Sequence, residues 1–436
     1  MFESPIIIEQ TFVFSEEVKG MDYSQFPRHE VLCIDMRSFY ASIECVKRGL
    51  DPMKAMLAVV GDKSRSGSII LAASPTLKEK YGINNVSRYF ELPEDPEIHV
   101  VQARMGDYVR VSVAITRLLH QYVPKEAIHP YSVDEMWITV DGLQSLYGNT
   151  EEIAHMIKEE IMDTMGLTCA IGIGDNKFLA KVVMDLYAKK KGIAVCRYED
   201  VPRLLWPAPV EKIWGIGKRL THHLNRMGII NLGQLAHYPL ERLKKRFGVM
   251  GEQLYWHAWG VDLSPVYQNF DSIEEQKAFS HGVTLLRDYT AEEALISILD
   301  LCEEVCRRTR TNHKAGRTIQ LSIGYANNTG GFSRSRSVHL PTNVTMEVYH
   351  VCLQLFQEFY DQKSSIRRIT VALTHLFDDV ETQLNLFYDQ TKKKDIGYVM
   401  DDIRAKYGST SLLRASSYLE AGITRERSKK IGGHYA

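Results

Sequence analysis

The hydrophobic pattern becomes regular at residue 31. VLCID (31–35) is a short apolar strand that ends on a carboxylate, and FYASIECVKRG follows with helical spacing and Gly49 as its stop. MLAVVGDKSRSGSIILAAS (56–74) predicts two strands around a basic, Gly/Ser-rich turn. A helix in TLKEKYG and a long amphipathic helix around 104–122 come next. SVDEMWITV (132–140) is another strand, with its acids at the start, and the helix over 151–166 closes on Gly166. LTCAIGIG (167–174) reads as a buried strand and NKFLAKVVMDLYAKKKG (176–192) as a basic-faced helix. The order from 29 to 198 is β, α, β, β, α, α, β, α, β, α with short connections, which predicts an α+β sheet layered with helices.

From about 199 the pattern changes to short helices joined by Gly-rich turns, ending near Gly260. Residues 263–278 read as a linker, and 279–376 as a second α+β unit. Its best strands are 318–325, 333–340 and 367–376, with a helix over 344–362. Residues 1–28 show no clear periodicity, and no internal repeat is present.

A chain of 436 residues is too long for one compact core and predicts three or four modules. No apolar run approaches the roughly 18–20 residues that span a bilayer. The first residues carry an acid where a secretory signal would carry basic residues, so a cytoplasmic address without membrane association is expected. The seven cysteines are odd in number and form no CxxC pair. Cys302 and Cys306 share a helix face without a second pair nearby, so reduced, packed thiols are expected rather than a metal site. The net charge of -1 does not announce a nucleic-acid partner, but its distribution does. Residues 305–346 hold Arg307, Arg308, Arg310, Lys314, Arg317, Arg334 and Arg336 and no Asp or Glu, which predicts a surface facing a polyanion.

Two strand ends carry the candidate chemistry: Asp35 in one, Asp134 and Glu135 in the other. Carboxylates at the edge of a buried sheet are costly unless something neutralises them. Oxygen ligands without His or Cys favour Mg²⁺. Two ions roughly 3.5–4 Å apart can activate a hydroxyl and stabilise a leaving pyrophosphate. The plainer alternative is that Asp35 caps its strand and Asp-Glu is a common dipeptide. In WGIGKRLTHHLNRMGI (214–229), Gly215 and Gly217 flank an apolar residue and Lys218 opens a helix. This predicts a helix-hairpin-helix that holds duplex backbone without reading sequence, the alternative being an ordinary glycine turn. Alternation in SRSRSVHL puts Arg334 and Arg336 on one face, suited to tracking phosphates.

CIDMRSFYASIE (33–44), SVDEMWITV and AIGIGDNKFLAKVVMDLYAKKKG (170–192) resemble, in order and spacing, the three motifs of the Y-family (DinB/UmuC-like) bacterial translesion DNA polymerases. The resemblance covers roughly residues 30–390. It implies an α+β right-hand polymerase with a palm (29–38 and 105–198), fingers (39–104), a small helical thumb (199–262) and an α+β little finger (279–380), flanked by an N-terminal extension (1–28) and a C-terminal tail (381–436). It implies Asp35, Asp134, Glu135 and the Met36 carbonyl as ligands of two Mg²⁺ ions. Tyr40 falls on the steric-gate position beside Phe39, and Lys189 on the basic residue facing the triphosphate, with Lys190 as the alternative. The family places a Tyr and an Arg in the fingers; counting back from Gly82, this chain has Thr76 and Glu79 there, leaving Lys78 or Lys80 as substitutes.

Past the little finger, Gln383, Leu384, Leu386 and Phe387 of QLNLF match the peptide that bacterial replication proteins insert into the sliding clamp; a closing strand of the domain is the alternative. The expected partners are primer–template DNA, deoxynucleoside triphosphates and the clamp, with the protein itself a monomer. An inactive DNA-binding scaffold is a competing class, disfavoured by the complete carboxylate set. A nucleotide cyclase would not explain the helix-hairpin-helix, and a helix-hairpin-helix glycosylase lacks its catalytic Asp in that module.

Overall fold

The computed structural model describes residues 21–267, 276–379 and 391–435. The chain forms two compact units, one from Met1–Val101 and Tyr108–Phe270, the other from Gln102–Asp107 and Asp271–Ala436.

The first unit is built on β1 (Val31–Met36), whose residues Val31 to Ile34 are completely buried. It is followed by α1 (Phe39–Val46), β2 (Met56–Val60), β3 (Ile70–Ala73), α2 (Pro75–Tyr81), β4 (Ile98–Gln102), α3 (Met105–Leu119), β5 (Ile128–Pro130), β6 (Glu135–Thr139), α4 (Gln144–Tyr147), α5 (Thr150–Met165), β7 (Cys169–Gly174) and α6 (Lys177–Val183). A π-helical turn (Met184–Ala188), α7 (Lys189–Lys191) and β8 (Ile193–Cys196) complete the layer. The sheet order is β5-β6-β1-β7-β8, and a second sheet runs β3-β2-β4. Strands β4, β5 and β8 are short and carry no clean alternation, so the sequence pattern does not mark them. Gly172 and Gly174 let α6 approach the sheet closely: a Cβ on Gly172 would lie 2.0 Å from the Ala180 carbonyl.

Helices α8 (Val201–Leu204), α9 (Lys218–Arg226), α10 (Leu232–Ala236), α11 (Leu240–Phe247) and α12 (Val249–Ala258) form the helical module, around Leu224, Leu232, Leu235, Leu243 and Leu254. Part of the expected N-terminal extension is a strap across this module. Tyr23 stacks on Tyr198 at 4.8 Å and its hydroxyl donates to the Trp259 carbonyl. Phe26 meets Trp256 edge-on, and Arg28 pairs with Glu199 and Asp175.

The second unit holds β9 (Ala278–Tyr289), α13 (Ala291–Thr311), β10 (Lys314–Tyr325), β11 (Gly331–Thr342), α14 (Thr345–Phe359) and β12 (Ile366–Asp378). Its antiparallel sheet runs β11-β10-β12-β9, with α13 and α14 packed on one face. Strand β9 was not among the expected elements, and of α13 only the helix face shared by Cys302 and Cys306 was expected. The segment read as a tail carries α15 (Thr391–Tyr407), α16 (Thr424–Arg427) and a hairpin, β13 (Lys430–Ile431) with β14 (His434–Tyr435). It folds back onto α13. Asp300 accepts hydrogen bonds from the Ser417 hydroxyl and the Ile423 and Thr424 amides. Glu303 holds Arg404 and Arg414, and the fully buried Arg310 is held by Asp401 and the Asn343 carbonyl.

All seven cysteines are free and buried. Among the described residues no helix is long and apolar enough to cross a membrane.

Candidate active site

The register of β1 against β6 sets Asp35 opposite Glu135, and the Met36 amide donates to the Asp134 carbonyl at 2.9 Å. Asp35, Asp134 and Glu135 thus lie at the neighbouring ends of two paired strands. The Ser132 hydroxyl donates to Asp134 Oδ1 at 2.7 Å and accepts from the Asp134 and Glu135 amides, fixing the turn that presents them. Burial pushes the Asp35 carboxyl up to about 6; Asp134 and Glu135 add to the shift and Lys189 opposes it.

Two lysines answer this negative charge. Lys189 Nζ lies 3.4 Å from Asp35 and 2.7 Å from Asp185. The buried Lys181 Nζ lies 2.7 Å from Glu135 and 3.1 Å from Asp185. Burial alone would lower the Lys181 ammonium, but its bond to Glu135 and its anionic neighbours hold it above the usual lysine range. The result is an alternating chain, Glu135–Lys181–Asp185–Lys189–Asp35. Asp185 reaches both lysines because it stands four residues from each, at the π-helical turn. Neither Lys181 nor Asp185 was singled out in the sequence. Among the described residues no three His, Cys, Asp or Glu side chains are drawn together at ligand spacing. The all-oxygen donor set, and the burial and neighbouring carboxylates that raise Asp35, nonetheless fit a hard divalent cation, which would stabilise the charge the lysines now offset.

Asp35 and Asp134 line a cleft of about 980 Å³ whose walls also include Phe39, Tyr40, Lys78, Glu79, Lys189 and Lys190. Phe39 is buried, whereas Tyr40 is half-buried and stacks on Tyr108 at 4.4 Å and 14°. Tyr108 is fixed in turn by donating to the buried Glu44 at 2.9 Å, so the orientation of Tyr40 is set before any ligand arrives. Glu44 and Tyr108 lie 64 positions apart, too far for any local sequence signal. Lys78 Nζ donates to the Ser38 hydroxyl at 3.0 Å, and Ser38 itself holds a left-handed φ of 45° beside Asp35. Of the other proposed nucleotide contacts, the Thr76 hydroxyl donates to the Met53 carbonyl and Lys80 pairs with Asp95, so neither side chain enters the cleft. Helix α2 starts at Pro75, and its Lys78 and Glu79 both line the cleft.

Residues 34–185 match the impB/mucB/samB family, and 276–386 match that family's C-terminal domain. Residues 211–262 match the DNA polymerase-iota thumb domain. A putative UV-damage repair protein UvrX of Bacillus subtilis (strain 168) is 49% identical over 421 residues, covering 95% of this chain and 99% of that one. DNA polymerase IV 2 of the same organism is 42% identical over 412 residues, covering 93% and 98%. The chain belongs to the Y family of DNA polymerases. A solved Y-family polymerase chimera, Dbh-Dpo4(243-245)-Dbh, shares the fold with a TM-score of 0.64 at 21% identity, covering 80% of this chain and 99% of that one. The protein is a DNA-directed DNA polymerase of the translesion type, acting in the repair of damaged DNA.

In this polymerase the expected hairpin is present in the thumb match. Gly217 caps α9 just before Lys218, and Gly215 takes φ +89°, which a residue with a side chain would resist. A Cβ at either glycine would meet open space, so the turn's surface is clear for a ligand.

The basic stretch 305–346 is not the uniform surface its composition implied. Arg307 and Arg308 both bind Glu304, one helical turn back on α13, while Arg310 is buried against Asp401 and Lys314 binds Asp378. Arg334 and Arg336 do share a face, but it is the face toward α14. Arg336 binds Gln354 and Glu358, and the Arg334 guanidinium lies over the Phe359 ring at 5.0 Å. The opposite, open face carries hydroxyls and amides: Ser280, Thr318, Gln320, Ser322, Ser333 and Ser335, linked in part by Gln320–Ser333 and Ser322–Ser333 hydrogen bonds. It also carries Arg368, exposed and paired in register with Gly324 and Thr284. The clamp-peptide residues Gln383, Leu384, Leu386 and Phe387 lie outside the described residues.

Proposed function

We propose that this Y-family polymerase extends a primer by nucleotidyl transfer at two Mg²⁺ ions held by Asp35, Asp134, Glu135 and the Met36 carbonyl. The observation that carries the reading is that Asp35 and Asp134 line one cleft with Lys78 and Lys189, while Glu135 stands opposite Asp35 in the strand register. Bound there, the metal supplies charge neutralisation for an attacking 3′-hydroxyl and a departing pyrophosphate. The protein's own share is positional. Lys181 holds Glu135 in place through their ion pair, and Asp185 holds Lys181 and Lys189 apart at fixed places. Lys78, Lys189 and Lys190 are the groups able to face triphosphate oxygens as charge develops on them. Tyr40, braced by Tyr108, excludes a 2′-hydroxyl by its bulk and so selects deoxynucleotides.

DNA is held elsewhere: by the hairpin at Gly215, Gly217 and Lys218, and by the open hydroxyl face with Arg368. Residues 383–387 tether the enzyme, acting as a monomer in the cytoplasm, to the sliding clamp. Primer extension on undamaged and abasic templates, with Mg²⁺ present or chelated, tests the reaction. Extension past the abasic site that stops with chelator supports it; extension insensitive to chelation overturns the metal assignment. For the tether, Leu386→Ala with Phe387→Ala should lower clamp affinity more than ~30-fold by surface plasmon resonance at an unchanged melting temperature. A fall in melting temperature with binding only modestly weakened would make QLNLF a structural strand.

A further inference from the structure

Residues 424–435 carry Arg425, Arg427, Lys429, Lys430 and His434 against a single acid, Glu426. Glu426 is taken by Lys429 at 2.8 Å. The Arg425 guanidinium lies over the Tyr418 ring at 5.2 Å, and the Lys430 ammonium over Tyr435 at 5.0 Å, so aromatic faces hold both without cancelling their charge. Helix α16 brings Arg427 to β9, the edge strand of the sheet, where its guanidinium donates to the Gly282 carbonyl at 3.3 Å.

There Arg427 faces Arg308 and Glu304 of α13, and Arg307 and His281 complete the cluster. Glu304 is shared by Arg307 and Arg308, at 2.9 and 2.7 Å, so one carboxylate stands among three guanidinium groups. The crowding shows in the neighbours. Burial lowers the His281 imidazole to about 4, with Arg427, Arg308 and Arg307 adding to the shift, so it stays neutral beside them at neutral pH. Burial, then the nearby Lys430, lowers His434 as well.

Like charges collected on α13, α16 and the terminal hairpin cost free energy that a polyanion would recover. On β9 the residues flanking Gly282 alternate: His281 belongs to the side of the cluster, Ser280 and Thr284 to the open hydroxyl face. The basic corner therefore continues that face around the sheet edge. We propose that the C-terminal segment forms a second DNA-binding surface, at which Arg425, Arg427 and Lys430, with Arg308 beside them, grip the phosphodiester backbone of the duplex lying on the open face. This rests on the reading that the open face holds DNA. A run of cations spread over three elements suits a repeating phosphate backbone rather than an acidic peptide needing side-chain anchors.

The full-length protein is titrated against fluorescein-labelled primer–template DNA, by anisotropy, across a series of KCl concentrations. The triple variant Arg425→Gln, Arg427→Gln, Lys430→Gln should reduce the slope of log affinity against log salt by about 2 to 3, since each phosphate contact contributes about 0.9. Single-turnover extension at saturating DNA should not change. Arg427→Lys keeps the charge and should keep the slope; if it alone loses as much affinity as the triple, the corner is structural and the inference falls. A second variant, Ser322→Asp with Ser335→Asp, puts negative charge on the open face. Weakened binding in that variant with an unchanged slope in the triple overturns the corner and leaves the face. Unchanged binding in that variant with a reduced slope in the triple supports the corner and removes the face.

Discussion

The two main sheets of this polymerase are both largely antiparallel, yet they handle charge in opposite ways. In the first, Asp35, Glu135, Lys181 and Asp185 sit at or beside strand ends, where burial makes each carboxylate dependent on a cation. In the second, the open face carries no Asp or Glu between positions 280–284, 318–324, 331–337 and 368–374, and its hydroxyls bond to one another. Chemistry needs charge held in place and kept from water; gripping a duplex of any sequence needs polar groups that stay wet and adaptable.

The largest expected effect lies at the buried edge. Asp134→Asn or Glu135→Gln should each reduce primer extension by at least ~10²–10³-fold while DNA affinity changes less than about twofold. Rapid-quench kinetics with anisotropy checks both, and near-normal turnover in either variant would collapse the contrast between the two sheets.

Lys181→Met comes next, because it leaves Glu135 without its cation and Asp185 with Lys189 alone. Turnover should fall about 10- to 100-fold with little change in nucleotide KM, and Lys181→Arg should recover part of it. If KM rises instead at constant kcat, the ion chain serves nucleotide binding and not the orientation of Glu135.

Asp35→Asn should abolish extension but stabilise the metal-free enzyme. The folded carboxyl titrates near 6, above its ordinary 3.8, so the folded state holds the proton more tightly than the unfolded chain. The penalty is absent below about pH 4, grows as pH rises to 6 and is complete above it. The variant's advantage should follow that window, reaching on the order of 2 kcal/mol at pH 7 in chelator. Thermal denaturation at pH 4 and pH 7 measures it; an equal advantage at both values would mean that Asp35 is not the strained group.

The smallest effect separates two arginines. Arg368→Ala should lower the salt slope of DNA binding by about 1, as for one phosphate contact, whereas Arg336→Ala, tied to Gln354 and Glu358, should leave it nearly unchanged. The reverse result would restore the reading that strand alternation alone suggested.

What was legible in the sequence follows from the same contrast. The carboxylates were legible because each adjoins an uninterrupted apolar run, and β1, β6, β7 and α6 each lie within one continuous motif. The ion chain was not, because Asp185 reaches Lys181 and Lys189 only through helical geometry. Alternation correctly put Arg334 and Arg336 on one face, but only the position of α14 decides which face that is. Arg307 and Arg308 were read as part of an acid-free stretch because that window begins one residue after Glu304. On a helix that residue is their nearest neighbour. The packed C-terminal segment escaped notice because Asp300 and Glu303 meet their partners more than 100 positions away.

The seven buried cysteines have a practical corollary. Burial raises the thiols of Cys33, Cys45, Cys169, Cys196, Cys302 and Cys306, so little thiolate exists at neutral pH for an oxidant or alkylating agent to attack. To a reagent in solution the folded enzyme is nearly cysteine-free, and Ellman's reagent should count almost no fast-reacting thiols before denaturation and seven after it. One cysteine introduced at the exposed Val249 of the thumb would then take a fluorophore selectively, with every native residue left in place to report on the working molecule.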